Sequence, residues 1–229
     1  MNAKLSRRAL ISSGAAGLGI LALALTGRAA PAAPVDRAAR RLANRLELWR
    51  TFASKSHNLL ARYTSTRTSP LLVEELVESG SLAFVAPGTL VLRDDGVTGS
   101  TTRIEPGAVA IVPNDPSLPR RALPQRDEAP ALRWLADHLV ACLAPGDGAA
   151  LTADARVEVP RGSTPRLSLM PPRDSAARAL IRSVTLTFDQ VGGAVIRIEI
   201  AESDGGSFTL KISDHRQEVE PEMLARVLQ

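Results

Sequence analysis

The chain has 229 residues, 45% hydrophobic but only 3% aromatic, a length that suits one ordinary domain or two small ones with a sizeable core. Its formal charge of +4 lies wholly in residues 1–32, where Lys4, Arg7, Arg8 and Arg28 meet no acid; the other 24 Lys and Arg are matched by 24 Asp and Glu. A near-neutral remainder excludes the basic footprint of a nucleic-acid or anionic-membrane binder, and the single Cys142 excludes an intrachain disulfide.

Residues 1–32 have the three parts of an export signal. A positive start (Lys4, Arg7, Arg8) is followed by an apolar run from Gly14 to Leu25 and by small residues ending Ala30-Pro31-Ala32. The segment SRRALIS, with its consecutive Arg7 and Arg8, resembles a twin-arginine signal. A general secretory signal that contains two arginines is the alternative. The expectation is cleavage near Ala32 and a bacterial periplasmic protein; uncleaved, Ala9 to Thr26 nearly reaches the length of a spanning helix. No cysteine follows the apolar run, so a lipoprotein is not expected. Residues 33–229 read as a single domain.

From Arg37 to Ser56, Leu42, Leu46, Trp49 and Phe52 recur at helical spacing among Arg and Glu, which predicts an amphipathic helix. The Thr-rich stretch His57 to Thr68 predicts a strand, with Leu60, Arg62, Thr64 and Thr66 on one side and Ala61, Tyr63, Ser65 and Arg67 on the other. Ser69-Pro70 breaks it, and Leu71 to Glu78 leads into a hairpin. Its arms are Leu82-Ala83-Phe84-Val85 and Leu90-Val91-Leu92, joined at Ala86-Pro87-Gly88. Leu82, Phe84 and Ala86 share one face of the first arm; Leu90 and Leu92 share one face of the second. If the two faces point the same way, they make an apolar floor without acid, base or nucleophile: a place to hold something apolar, or an ordinary core.

Two more short strands follow, Ser100 to Ile104 and Ala108 to Val112, around the turn Glu105-Pro106-Gly107. Val109 and Ile111 extend the apolar floor. Asn114 to Pro130, with Pro116, Pro119, Pro124 and Pro130, reads as a loop. Ala131 to Leu143 predicts a second amphipathic helix, with Leu132, Leu135, Ala136, Leu139 and Leu143 on one side, stopped by Pro145-Gly146. Strands return at Ala155 to Val159 and Arg166 to Met170, with a helical turn at Asp174 to Leu180. Val184 to Phe188, Ala194 to Ile200 and Ser207 to Ile212 close the pattern. In the second of these, Ile196, Ile198 and Ile200 alternate with Arg197 and Glu199, one face buried and one solvated. Glu218 to Gln229 reads as a short final helix. The fold class expected is α+β: a strongly curved, unclosed antiparallel β-barrel of about ten to eleven strands, lidded by amphipathic helices.

No catalytic or metal constellation stands out, and no cofactor is implied. His57, His138 and His215 are far apart and lack companions at ligand spacing. His138 is expected to be solvated or to cap its helix, and Cys142 to be a small buried hydrophobe. Asp94-Asp95 reads as a turn. Glu74, Glu75 and Glu78 read as a solvated strand edge, with a docking patch for a membrane partner as the alternative.

The order of signal peptide, amphipathic helix, Thr-rich strand and then Gly80-x-Leu82-x-Phe84-x-x-Pro87-x-x-Leu90 resembles the LolA/LolB-like family of periplasmic lipoprotein carriers. Leu167 to Pro172 (LSLMPP) is similar to that family's Leu-x-Pro segment, and the hairpins from Ile181 to Ser213 to its closing strands. The resemblance implies a hydrophobic cavity for the acyl chains of a lipid or lipoprotein, with an inner-membrane exporter and an outer-membrane acceptor as partners. It also implies a monomer without enzymatic activity. The floor and lid would comprise Leu46, Trp49, Phe52, Leu82, Phe84, Ala86, Leu90, Leu92, Val109, Ile111, Leu135 and Leu139. Two departures point to a divergent branch that serves exporters of other lipids: cavity aromatics are few, and Ala86 stands where the well-studied shuttles place an arginine that bonds to the lid. Arg62 or Arg67 is the candidate substitute. The competing reading is a non-transporting interaction or sensor module on the same fold, with a filled core.

Overall fold

In a computed structural model of the protein, the described residues are 36–71, 73–106, 108–119, 121–122 and 129–228, all within one unit spanning 35–229. The expected export signal, residues 1–32, lies outside them, as does part of the proline-rich loop at 123–128.

Helix α1 (Arg37–Ala53) begins where the Asp36 carboxylate accepts a bond from the Ala38 N–H, and it ends before the expected Ser56. Strands β1 (Asn58–Thr68), β2 (Leu76–Val85), β3 (Thr89–Asp94), β4 (Ser100–Glu105), β5 (Ala108–Pro113) and β6 (Arg121–Ala122) form an antiparallel meander. Then come α2 (Pro130–Ala141) and the short α3 (Ala149–Thr152), which the sequence reading lacks. A second meander is built from β7 (Arg156–Glu158), β8 (Arg166–Met170), β9 (Ile181–Phe188), β10 (Val195–Glu202) and β11 (Ser207–Gln217). A 3-10 turn at Ala176–Ala179 precedes β9, and α4 (Pro221–Leu228) closes the described chain.

The eleven strands form one sheet in the order β6-β5-β4-β3-β2-β1-β11-β10-β9-β8-β7, so the first strand of one meander pairs with the last of the other. β6 and β7 are separate edges, and the barrel is unclosed. Register shifts between Leu60 and Arg62 and between Val195 and Arg197 mark irregularities of the kind that bend a sheet. Both arms wrap one core: Leu82 and Phe84 from β2, Leu186 and Ile198 from β9 and β10, and Trp49 from α1 belong to a single cluster.

The second shift corrects one expectation. Ile196 does not join Ile198 and Ile200 in the core; it is 38% exposed while Val195 is fully buried, because the irregularity resets the alternation. A second smaller core lies on the opposite face of β2 and β3. There Val219, just ahead of α4, and Leu224 and Val227 of α4 pack against Ala83, Val85 and Val91. The Asn58 side chain bonds both the N–H and the carbonyl of Val219, and Arg93 and Arg103 donate to the carbonyls of Arg226 and Leu228 at the end of α4. Cations there also complement the negative end of the helix dipole.

Candidate functional site

The hairpin holds its four large residues on one face because register pairs them directly: Leu82 lies opposite Leu92, and Phe84 opposite Leu90. Leu92 pairs on to Thr102, and Thr102 to Ile111; Leu90 pairs to Ile104, and Ile104 to Val109. The inner face thus runs from β2 to β5, apolar throughout in the row Phe84–Leu90–Ile104–Val109 and interrupted by Thr102 in the row beside it. Leu82, Phe84 and Leu90 are 1%, 0% and 2% exposed, so they are core residues covered by protein. Leu92, Val109 and Ile111 are only half-buried, as are Leu46, Phe52, Ala86, Leu135 and Leu139; Trp49 is buried.

Coverage is incomplete beside Val109. A groove of about 490 Å³ opens between the turns of the sheet and the α2–α3 segment. Its sheet side includes Pro87, Ile104, Pro106 and Val109; its helical side includes Ala136, Val140, Ala144 and Ala153. Gly88 packs close to both sides, since a Cβ there would meet Val140 Cγ1 at 3.5 Å and Pro106 Cγ at 3.6 Å. Of the residues expected to bind lipid, Val109 lines this groove. The alanines were missed because they carry little apolar weight individually; the signal was their density between Ala136 and Ala153.

Helix α2 is rotated from the expected orientation. Ala131, Trp134, Ala136, His138 and Ala141 are its buried residues, whereas Leu132, Leu135 and Leu139 are half-covered. The cause is polar: three side chains that reach backbone carbonyls set the helix. Trp49 Nε1 donates to the Cys142 carbonyl (2.9 Å), and Trp134 Nε1 donates to the Asp154 carbonyl (2.8 Å). His138 places Nδ1 2.7 Å from the Trp134 carbonyl and Nε2 3.0 Å from the Ala153 carbonyl. His138 is therefore not solvated but 4% exposed, with Nε2 at the carbonyl of Ala153, the residue that ends α3, and burial pushes its pKa below the usual imidazole range despite both carbonyls. Cys142 is buried as expected, its thiol pushed up to about 12 by desolvation.

The far end of the inner face is polar. Tyr63 donates to Asp94 (2.5 Å), which also accepts from the N–H and hydroxyl of Ser100. Burial, then this bond and charge, push the phenol well above its ordinary range. Glu78 shares that face half-buried, its pKa raised by desolvation and by Asp94, while Glu74 and Glu75 precede the strand in an exposed connection. The acidic run is thus not one solvated edge. Nor do the arginines proposed to replace a lid contact reach a helix: Arg62 bonds Ser81 and Asp95, and Arg67 pairs with Glu202 at 3.5 Å.

Among the described residues, no group of three His, Cys, Asp or Glu is placed to hold a metal, and no helix is long and apolar enough to cross a membrane. No family model matches the sequence, and no curated protein matches it. Solved structures do. A LolA superfamily protein from Nitrosomonas europaea is similar over 79% of this chain and 95% of that one, with 12% identity and a TM-score of 0.42. The lipoprotein LppX of Mycobacterium tuberculosis is similar over 77% and 97%, with 16% identity and a TM-score of 0.40. The Pseudomonas aeruginosa MucA/MucB complex is similar over 79% of this chain and 60% of the matched chain, with 12% identity and a TM-score of 0.39.

Proposed function

We propose that the protein is a non-enzymatic periplasmic carrier that takes the acyl chain of a lipid or lipoprotein into the groove between α2–α3 and the sheet. The groove itself carries this reading: about 490 Å³, lined mainly by Val, Ile, Pro, Ala and Gly with the exposed Glu105 and Asp137 among them, and sharing Ile104 and Val109 with the inner face of β4 and β5. Each buried methylene contributes about 0.8 kcal/mol, so a run of about ten supplies roughly 8 kcal/mol before the entropic cost of association. Delivery from an inner-membrane exporter to an outer-membrane acceptor, after export and cleavage near Ala32, completes the proposal. Delipidated protein is expected to bind a fluorescent fatty-acid analogue saturably, and protein purified from its own kind of cell to retain an extractable lipid. No probe binding together with no copurified lipid would sink the reading.

The complete coverage of Leu82, Phe84 and Leu90 favours a second reading, a non-transporting interaction or sensor module with a filled interior. That module is expected to capture an exporter subunit equally well with and without lipid, whereas a carrier's capture changes with its load.

A further inference from the structure

Charge is balanced over residues 33–229 but unevenly placed. Residues 36–55 hold six of the 24 Lys and Arg beyond the export signal and two of the 24 Asp and Glu. That segment is therefore +4, which leaves residues 56–229 at −4. Most of the excess lies on α1, as Arg37, Arg40, Arg41 and Arg45.

Arg37, Arg41 and Arg45 follow one another at i, i+4 and i+8, so they run along one side of the helix with Arg40 beside them. Leu42, Leu46, Trp49 and Ala53 of the same helix join the main core. The first three arginines are exposed and Arg45 is half-buried, its Nε enclosed without a hydrogen-bond partner. Among the described residues none of the four makes an ion pair; the pair on this helix joins Arg50 to Glu47. Other nearby carboxylates are engaged with backbone. Asp36 accepts from the Ala38 N–H, Asp147 from the Ala149 N–H, and Asp189 from the N–H groups of Val191 and Gly192.

This placement works against the helix that carries it. The first turn of α1 holds no acid, and cations there oppose the positive end of the helix dipole. Arg37 and Arg41, and again Arg41 and Arg45, are like charges four residues apart, which repel. Among the described residues no partner offsets either effect. A local rule broken without internal compensation marks a surface that serves something outside the chain.

The neighbouring turn indicates what that is. The β9–β10 turn packs against α1 at Leu48, three residues beyond Arg45; a Cβ on Gly193 would stand 1.8 Å from the Leu48 carbonyl. The same turn carries Val191, 88% exposed. Arginines beside an exposed apolar side chain suit a bilayer surface, where cations meet phosphates and the apolar group enters the acyl boundary. An acidic protein segment would satisfy the arginines without using Val191.

We propose that α1 and the β9–β10 turn form a docking surface for an anionic membrane, with Arg37, Arg40, Arg41 and Arg45 on lipid phosphates and Val191 at the acyl boundary. No residue of α1 or of that turn lines the groove, so docking is separate from acyl binding and needs no cargo. The net −4 of residues 56–229 is repelled by the same surface, which favours approach by the α1 side.

Sedimentation of the purified chain with lipid vesicles tests this. Binding is expected on vesicles of phosphatidylcholine mixed with phosphatidylglycerol and not on phosphatidylcholine alone. It is expected to be lost at about 1 M salt, where the Debye length is about 3 Å. The triple variant Arg37→Gln, Arg40→Gln, Arg41→Gln is expected to bind roughly a hundredfold more weakly, about fivefold for each arginine. Its Tm is expected to stay level or rise, because the arginines oppose the helix; a lower Tm would assign the stripe to stability and overturn the proposal. Val191→Ser is expected to weaken binding and leave its salt dependence unchanged. No binding to the anionic vesicles, equal binding to neutral ones, or unchanged binding of the triple variant would each overturn it. Capture on immobilised polyglutamate as strong as on anionic vesicles, with Val191→Ser without effect, would assign the stripe to an acidic protein and overturn it as well.

Discussion

Tyr63 lies across Gly80. The two residues are paired in register on β1 and β2, and a Cβ on Gly80 would stand 2.5 Å from both Cζ and the hydroxyl of Tyr63. The missing side chain lets the phenol pass over β2 and reach Asp94 on β3, so one hydrogen bond spans three strands. The glycine of the Gly-x-Leu-x-Phe pattern thus has a steric reason to be glycine.

Gly80→Ala is expected to be destabilising. The new methyl would also stand 2.3 Å from the Arg93 carbonyl, which belongs to the backbone and cannot turn away. Forcing these strands apart or expelling the tyrosine is expected to cost roughly 2–4 kcal/mol. The denaturant midpoint checks this; a loss within about 0.5 kcal/mol of zero, the usual range for surface substitutions, refutes it.

The alkaline limb of stability is expected to follow Tyr63, the only tyrosine in the chain. Its folded pKa is raised above the ordinary phenol value of about 10. The folded state therefore keeps a proton that the unfolded state releases, and stability falls as pH rises above about 10. Absorbance titration reads the phenol directly, and Tyr63→Phe is expected to flatten the part of this slope that tyrosine supplies. Normal ionisation of Tyr63 in the folded protein would exclude the effect.

Gly193→Ala is expected to dislodge α1. Its φ of +76° disfavours a side chain, and the Leu48 carbonyl occupies the space a Cβ requires. A loss of roughly 3 kcal/mol is expected, together with a change in the near-ultraviolet signal of Trp49. An unchanged signal and midpoint would show that the turn gives way without disturbing the helix.

Val109→Glu is expected to weaken acyl binding at little cost in stability. The residue is half-buried at the rim of the groove, so the carboxylate retains access to water in the empty protein but opposes an apolar ligand. An affinity loss of at least about tenfold, or 1.4 kcal/mol, is expected in a titration with the fluorescent probe. Equal affinity would move the binding site away from the groove.

Much of the architecture was legible because strand and helix periods are local properties. The meander-helix-meander order, both amphipathic helices and the sharing of one face by Leu82 and Phe84 and of another by Leu90 and Leu92 followed from spacing and turn residues alone, and the register then set the two faces side by side. Spacing does not report coverage. It could not separate Leu82, sealed in the core, from Val109 at an open rim, because both are apolar residues on the same face of the sheet. Nor could it orient α2, whose leucines promised one face while the long-range bonds of Trp49, Trp134 and His138 turned another inward. The irregularity that exposes Ile196 and the seating of α4 on the outer face depend likewise on partners distant in the chain. Sequence by itself determined the elements and the apolar character of the inner face, since these need only neighbouring residues. Tertiary structure decided where that face is left uncovered, since coverage depends on how separate elements pack and which buried polar groups must find partners.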